Sequence, residues 1–341
     1  MEIVKGLVSV IMSNFNTPEA FLRKAIESVL NQTYDNFEFI IIDDYSTDDS
    51  LSVIESYKDE RIKIIKNEKN LGLTKSLNTG LRVARGEFVA RMDSDDICLR
   101  ERFEKQVDFL KQNPQVIVCG TAVELIGDWQ GKYSNGILFR ELPEKESLNI
   151  HLLFGNYPNI VHPTAMFNRE LLLKYNIEYN ENYRLAQDYR MWVSCSSVAE
   201  CVNIPEVLLQ YRVHGGAVST KDNTVQSNIA LQIMREQLTA LNVELDGEFE
   251  GIHSNFLSQR HSYNLKYKEW ITYLISKNES SKIYNQRKFE DILWKKWVEI
   301  SYFALAKERN PVKIMKIIMN IPLKYQSELL RIRKSRSEKE W

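Results

Sequence analysis

Three aspartates follow a short apolar segment within four positions, and their types and spacing suit them to metal chemistry. Residues 88–96 read FVARMDSDD, in which 88–92 is strand-like and Asp93, Asp95 and Asp96 come next. Carboxylates this close repel each other unless a cation lies among them. Oxygen ligands select hard divalent cations such as Mg²⁺ or Mn²⁺, which also bind phosphates and water. The stretch therefore suggests a metal site, although ordinary turn and helix-cap chemistry is the commoner origin of such a pattern and other parts of the chain must decide.

Alternating strand-like and helix-like segments lead up to this cluster. Short apolar runs lie at 7–12, 37–42, 62–65 and 88–92, and helical spacing of apolar residues lies between them, with Thr17 and Ser46 or Thr47 as predicted N-caps. This alternation predicts an α/β fold with a mostly parallel sheet flanked by helices. Ligands of such sheets bind beyond the carboxyl ends of the strands. We therefore expect residues 13–15, 43–44 and 93–96 to meet at one edge.

Other classes of protein fit less well. The first strand is followed by SNFNTP rather than a GxGxxG loop, and GLTKS at 72–76 lacks the order of a P-loop. The formal charge of -1 argues against nucleic acid as a partner. Four cysteines without a CxxC pair suggest buried thiols in a reducing compartment, and no apolar run approaches the roughly 20 residues of a membrane span. A cytoplasmic protein is expected.

We expect a first domain, residues 1–220, followed by a mainly helical C-terminal appendage, residues 221–341. Residues 281–341 contain 15 Lys and Arg against 7 Asp and Glu. Residues 312–333 mix Ile, Met and Leu with Lys and Arg, which predicts a basic amphipathic surface at the inner face of the cell membrane. Packing of the same surface on the first domain, or on another subunit of a homo-oligomer, is the alternative.

The chain resembles the family 2 glycosyltransferases, which are inverting enzymes with a GT-A fold. The resemblance rests on an ordered set of segments: VSVIMSNFN (8–16), ESVLNQTYDNFEFIIIDDYSTDDS (27–50), NLGLTKSLNTGL (70–81), ARGEFVARMDSDD (84–96), NIVHPTAMFNRE (159–170), AQDYRMW (186–192) and LLQYRVHG (208–215). It implies a hexosyl- or N-acetylhexosaminyl-transferase of surface polysaccharide synthesis. The donor would be a nucleoside-diphosphate sugar such as a UDP-sugar, the cofactor Mn²⁺ or Mg²⁺, and the acceptor a glycan or lipid-linked hydroxyl.

The resemblance also implies roles on the donor side. Asp44 would bind the base, with helix capping as the alternative. Phe15 would stack on the base, or else anchor its loop in the interior. The backbone at Ser13 would lie beside the nucleotide, and Lys75 and Asn78 would face it from the third helix, although an exposed lysine is commonly only solvated.

The catalytic side follows from the same resemblance. The DxD motif falls on Asp93, a ribose or water-mediated metal contact, and Asp95, the direct metal ligand. Asp188 matches the catalytic base, with N-capping of its helix as an alternative or additional role. The family commonly has Glu where this chain has Gln187, which removes a like charge and leaves the base less tuned.

The resemblance also implies roles for two histidines, and two other functions remain to be weighed against a glycosyltransferase. His214 would ligate the metal or pair with phosphate, or belong to a turn before Gly215, and His162 would line the acceptor side. A non-catalytic nucleotide-sugar-binding protein of the same fold is one rival, which the presence of both Asp95 and Asp188 disfavours. A nucleotidyltransferase is another, but the N-terminal SNFNTP lacks its Gly-rich basic loop.

Overall fold

The computed structural model describes residues 2–127, 136–155, 160–214, 223–245, 247–256 and 263–337. Two compact units are present: Met1–Lys145 with Pro158–Ile229, and Glu146–Tyr157 with Ala230–Trp341. The predicted boundary at residue 220 lies outside the described residues. The second unit takes in the short segment after Lys145 as well as the C-terminal part of the chain.

The first unit is built on one sheet with the strand order β3-β2-β1-β4-β8-β6-β9-β5, and β7 pairs with β6. The strands are β1 Val4–Asn14, β2 Phe37–Asp43, β3 Ile62–Lys66, β4 Gly86–Asp93, β5 Ile97–Cys98, β6 Val116–Ile126, β7 Ile137–Leu138, β8 Met166–Asn168 and β9 Glu200–Arg212. Strands β3, β2, β1 and β4 are parallel, as the sequence predicted. The remainder mixes a parallel β6–β9 pair with antiparallel pairings of β8, β7 and β5.

Helices flank this sheet and form the second unit. They are α1 Glu19–Leu30, α2 Ser50–Glu55, α3 Leu73–Val83, α4 Arg102–Gln112, α5 Lys145–Leu152, α6 Arg169–Lys174, α7 Gln187–Val198, α8 Asn223–Ala240, α9 Gly247–Asn255, α10 Leu265–Ser281, α11 Gln286–Lys307, α12 Pro311–Met319 and α13 Gln326–Ser337, with 3-10 turns at His162–Thr164 and Leu323–Tyr325. The helical C-terminal region is as predicted. Within the described ranges, no helix is both long and apolar enough to cross a membrane.

The cores explain why these segments adopt their structures. Every residue of β2, FEFIIID, is buried, as expected of a strand between two parallel neighbours with helices on both faces. Helix α1 buries Leu22, Ala25, Ile26 and Val29, the stripe that its sequence spacing predicted. A separate apolar cluster in the second unit includes Trp270 and Trp297. The four cysteines are buried free thiols, again as predicted.

Two predicted helix caps are wrong. The Thr17 hydroxyl lies 2.7 Å from the Ser94 hydroxyl, and the cap position of α1 is Pro18. Ser46 donates to Asp43, and α2 begins only at Ser50. In both cases the short polar side chain hydrogen-bonds to a residue outside the helix that it was predicted to cap. Side chains of this type commonly choose between such alternative partners.

Candidate active site

The carboxyl ends of three adjacent strands meet at one edge, as the order of the segments predicted. Ser13 at the end of β1 pairs with Ile42 of β2 and with Asp93 of β4. Asn14 pairs with Asp43. Residues 13–15, 43–44 and 93–96 therefore surround the end of β1, the place where ligands of such sheets bind.

The acidic cluster lies at this edge. Ligand oxygens of Asp93, Asp95 and Asp96 lie within 4.8 Å of one another. Asp96 is buried, and its Oδ1 accepts a 2.7 Å hydrogen bond from the Arg212 backbone N–H. Its Oδ2 is buried and has no hydrogen-bond partner among the residues that the structure describes. Burial, together with the charges of Asp93 and Asp95, raises the pKa of Asp96 well above its usual value. A cation bound here would give the Asp96 Oδ2 a partner and would reduce the repulsion among the three carboxylates.

His214 completes this oxygen-rich set. Its Nε2 lies 2.9 Å from Asp95 Oδ2, so the two predicted metal ligands are brought together from positions 119 residues apart. Arg212, two residues earlier, donates to the Asp95 carbonyl at 2.7 Å and stacks over Phe21. The glycines after His214 lie outside the described residues. The three carboxylates fit a divalent ion such as Mn²⁺ or Mg²⁺, and His214 contacts this set through Asp95.

Arg91 is a site residue that the sequence reasoning missed. Alternation along β4 places it on the same face as Asp93, and the two side chains form an ion pair. Arg91 is buried, and within the described part of the chain its Nε and Nη1 have no hydrogen-bond partner. A charged residue inside the apolar run FVARM was the signal that could have identified it. It provides positive charge beneath the carboxylates.

Asp188 belongs to the same site. It lies in the first turn of α7, where its Oδ1 accepts a 2.8 Å hydrogen bond from Tyr189 N–H, so it also satisfies a free donor of that turn. Burial raises its pKa, while the Tyr189 N–H and Arg91 act in the opposite direction. The charge of Asp188 is in turn among the causes that raise the pKa of Asp93, after burial. Burial therefore raises the pKa of Asp188 even though the neighbouring Gln187 carries no negative charge that would do so.

Asp44, directly after β2, holds a neighbouring loop in place. Its Oδ1 accepts hydrogen bonds from Asn67 Nδ2 and Leu71 N–H, and its Oδ2 accepts one from Gly72 N–H, each at 2.8 Å. The buried carboxylate therefore fixes the loop that enters α3. This differs from the capping of α2 considered as the alternative, and contact with a base stays a prediction.

The other predicted nucleotide contacts differ in accessibility. Phe15 is 49% exposed, which rules out the alternative of a buried loop anchor. Ser13 is half-buried at the strand end, and Lys75 is exposed on α3. All three remain predicted contacts that ligands could reach.

Asn78 is occupied within the protein. It is fully buried, its Nδ2 donates to the Tyr179 carbonyl at 2.8 Å, and its Oδ1 accepts from Tyr179 N–H at 2.9 Å. Thr74, one turn earlier, donates to the Tyr183 carbonyl at 2.8 Å. These contacts give no support to a nucleotide contact by Asn78. They make α3 the element that positions the segment leading to Asp188.

The predicted acceptor-side histidine is buried in an aromatic group. His162 Nε2 lies 2.7 Å from the Tyr179 hydroxyl, and its ring packs edge-on against Trp192. Burial lowers the pKa of His162 well below its usual value. A neutral His162 beneath the site therefore supports Tyr179 and α7 rather than presenting a charge.

A buried polar pair on α4 ties the site together. Arg102 donates to the Arg91 carbonyl at 2.9 Å and to Gln106 Oε1 at 2.9 Å. Gln106 donates to the carbonyls of Cys119 and Thr164 at 3.0 and 2.9 Å. Arg102 and Gln106 lie on the apolar face of α4, at i and i+4, which was the available sequence signal. The pair links β4, β6 and the 3-10 turn that contains His162.

Comparisons with known proteins agree with this geometry. Residues 9–175 match the family described as Glycosyl transferase family 2. The chain is 36% identical over 240 residues to an uncharacterized glycosyltransferase of Haemophilus influenzae, covering 68% of this chain and 73% of that protein. It is 31% identical over 231 residues to the UDP-Glc:alpha-D-GlcNAc-diphosphoundecaprenol beta-1,3-glucosyltransferase WfaP of Escherichia coli, covering 67% of this chain and 86% of that protein.

A solved structure supports the fold. The crystal structure of S. aureus TarS 1-349 in complex with UDP-GlcNAc matches with a TM-score of 0.58 at 19% identity, covering 96% of this chain and 87% of that one. The α/β sheet with flanking helices and a helical C-terminal region is thus the GT-A-like fold that the sequence predicted. By its sequence relatives and its fold, this chain belongs to glycosyl transferase family 2 and is a glycosyltransferase.

Proposed function

We propose that this enzyme is a metal-dependent, inverting transferase that moves a hexosyl or N-acetylhexosaminyl unit from a UDP-sugar to a hydroxyl of a glycan or lipid-linked acceptor. Surface polysaccharide synthesis is the proposed setting. The observation that carries the proposal is the cluster of three carboxylates at the sheet edge, where His214 lies 2.9 Å from Asp95. The printed name of WfaP, with a UDP-sugar donor and a diphosphoundecaprenol-linked acceptor, supports the same substrate classes.

Asp188 is the proposed base. Its carboxylate takes the proton of the acceptor hydroxyl while that oxygen bonds to the anomeric carbon. The bond from the same carbon to the diphosphate oxygen breaks on the opposite face, so the configuration inverts. Burial raises the pKa of Asp188 towards the working pH, which makes the carboxylate a better proton acceptor.

The acidic cluster is proposed to hold the metal. Asp95 with His214 would bind Mn²⁺ or Mg²⁺ directly, with Asp93 and Asp96 close by, and a bound ion would supply positive charge beside the departing diphosphate. Arg91 fixes Asp93 through its ion pair, and Arg212 fixes the backbone of Asp95 and the side chain of Asp96. These contacts orient the carboxylates before any ligand arrives.

The test separates turnover from binding. Asp188→Asn should lower kcat by about 10²- to 10⁴-fold while the affinity for the nucleotide-sugar is retained. Asp95→Asn should weaken metal-dependent donor binding, as measured by calorimetry with and without chelator. A panel of nucleotide-sugars with Mn²⁺ or Mg²⁺ identifies the donor. Unaltered turnover of Asp188→Asn would contradict the base assignment, and donor binding without turnover by the wild type would favour the non-catalytic alternative.

Helix α12 supports the proposed association with the inner face of the cell membrane. Val312, Met315 and Met319 are exposed on one side of the helix, and Lys313 and Lys316 are exposed beside them. Apolar side chains flanked by lysines suit a surface of anionic lipid. Sedimentation with anionic vesicles should fall at high salt and on replacing Met315 and Met319 by Gln. Loss of self-association in the same variant, without any vesicle binding by the wild type, would instead indicate a homo-oligomer contact.

A further inference from the structure

Two exposed aromatic side chains stand at the ends of adjacent strands. Phe15 directly follows β1 and is 49% exposed, and Tyr45 follows β2 by two residues and is 52% exposed. Asn14 and Asp43 pair at the ends of these strands. The resemblance to the family singled out Phe15, whereas nothing assigned a role to Tyr45.

Hydrogen bonds join the two loops side by side. Asp44 N–H donates to the Asn14 carbonyl at 2.8 Å, and Asn16 N–H donates to Ser46 Oγ at 3.2 Å. Thr47 N–H donates to Asn16 Oδ1 at 2.8 Å. The loops that carry Phe15 and Tyr45 therefore lie next to each other between these bonds. Asn14 and Asp44 are buried, whereas the two aromatic residues that directly follow them are exposed.

The backbone of Tyr45 is strained. Its φ is +66°, in the left-handed region where a side chain with a Cβ is disfavoured and glycine is not. Asn16 in the opposite loop has φ +51°. A large, half-exposed ring in such a conformation gains little from packing, and strained residues of this type concentrate at ligand sites.

We propose that Phe15 and Tyr45 form an aromatic clamp that stacks on the nucleobase of the donor, with Tyr45 as a base-binding residue. This inference rests on the proposed nucleotide-sugar donor. A flat base presents a face that aromatic rings bind well. Tyr45 follows β2 and Asp93 ends β4, and β1 lies between these two strands. Two strand spacings correspond to about 10 Å between the ends of β2 and β4. A base in the clamp would thus leave space for the ribose before the diphosphate reaches the acidic cluster.

The decisive variant is Tyr45→Gly, because it removes the ring and also relieves the strained φ. We expect the Kd for UDP, measured by calorimetry, to rise by about 5- to 150-fold. The melting temperature should be no lower than that of the wild type, since glycine accepts this conformation. Tyr45→Phe should bind UDP within about threefold of the wild type because the stacking surface remains.

Two controls isolate the base. Inorganic pyrophosphate with Mn²⁺ lacks the base, so its binding should not change in Tyr45→Gly. Tyr175→Ala removes another exposed tyrosine of the same unit and should leave the Kd for UDP unchanged. An unchanged UDP affinity in Tyr45→Gly, or an equal loss for pyrophosphate, would overturn the clamp alone. A wild-type protein that binds no nucleoside diphosphate would overturn the clamp and the proposed function together.

Discussion

Replacing Asp44 by Asn changes one atom of a buried carboxylate and should destabilise the first unit. The two oxygens of Asp44 accept three hydrogen bonds, which come from Asn67 Nδ2 and from the N–H groups of Leu71 and Gly72. An amide has only one acceptor oxygen. In either orientation its NH₂ group faces at least one of these donors, so a buried N–H is left without an acceptor.

The magnitude follows from those contacts. In the better orientation the amide oxygen keeps the two bonds of Oδ1, and the bond to Gly72 N–H is lost. A lost hydrogen bond to a charged group costs about 1.5–3 kcal/mol. The two remaining bonds lose their charge assistance, which roughly halves their strength. We therefore expect Asp44→Asn to lower the free energy of unfolding by about 3–6 kcal/mol.

Urea denaturation followed by circular dichroism measures this loss. Hydrogen exchange of the Leu71 and Gly72 amides reports on the loop directly, and both should exchange faster in the variant. Asn67→Ala is the matched control, because it removes one of the three donors and should cost about 1.5–3 kcal/mol, less than Asp44→Asn. A free energy of unfolding within about 0.5 kcal/mol of the wild type would refute the reasoning and would leave Asp44 with only its predicted ligand role.

Two further predictions concern stability. His253 Nδ1 accepts from Trp270 Nε1 and its Nε2 lies 2.9 Å from the Leu153 carbonyl, so the neutral ring is fixed in place, and burial lowers its pKa from 6.5 to about 4. Below pH 6.5 the unfolded chain takes up a proton that the folded chain does not, so the second unit should lose about 3 kcal/mol as the pH falls towards 4. His253→Gln should flatten that acid slope, although His151, whose pKa burial also lowers to about 4, leaves part of it. Gly86→Ala would place a Cβ 2.5 Å from the Leu7 carbonyl oxygen, and should cost about 3 kcal/mol by urea denaturation, whereas Gly247→Ala, with no atom within 4 Å, should change stability little.

The parallel half of the sheet could be predicted because local patterns specify it. Strands β1 to β4 are apolar runs separated by helices with a clear apolar face, and this alternation permits few topologies. Strands β5, β7 and β8 have two or three residues each, too few to show a period. They form because a partner strand lies beside them, and no pattern in their own short sequences predicts that pairing.

The site was predictable in its chemical groups and less so in their contacts. Asp93 and Asp95 could be identified from the DxD motif, and the structure places their carboxylates together with that of Asp96, while the role of Asp188 stays a prediction. Asn78 was expected to face the nucleotide, but its amide is bonded to the backbone of Tyr179, 101 residues away. A side-chain amide binds whichever backbone group the fold brings to it, and spacing along the chain does not reveal that partner.

The sequence by itself determined which residues could bind a cation or take a proton, and that they would meet where the parallel strands end, because strand order and direction follow from local patterns. Only the tertiary structure decided how those residues are held. It buried Arg91 beneath Asp93, joined His214 to Asp95, gave Asp44 the loop before α3 and set Tyr45, in a strained conformation, in the loop next to that of Phe15. Each of these depends on burial and on hydrogen bonds between distant segments, which exist only after the chain has folded.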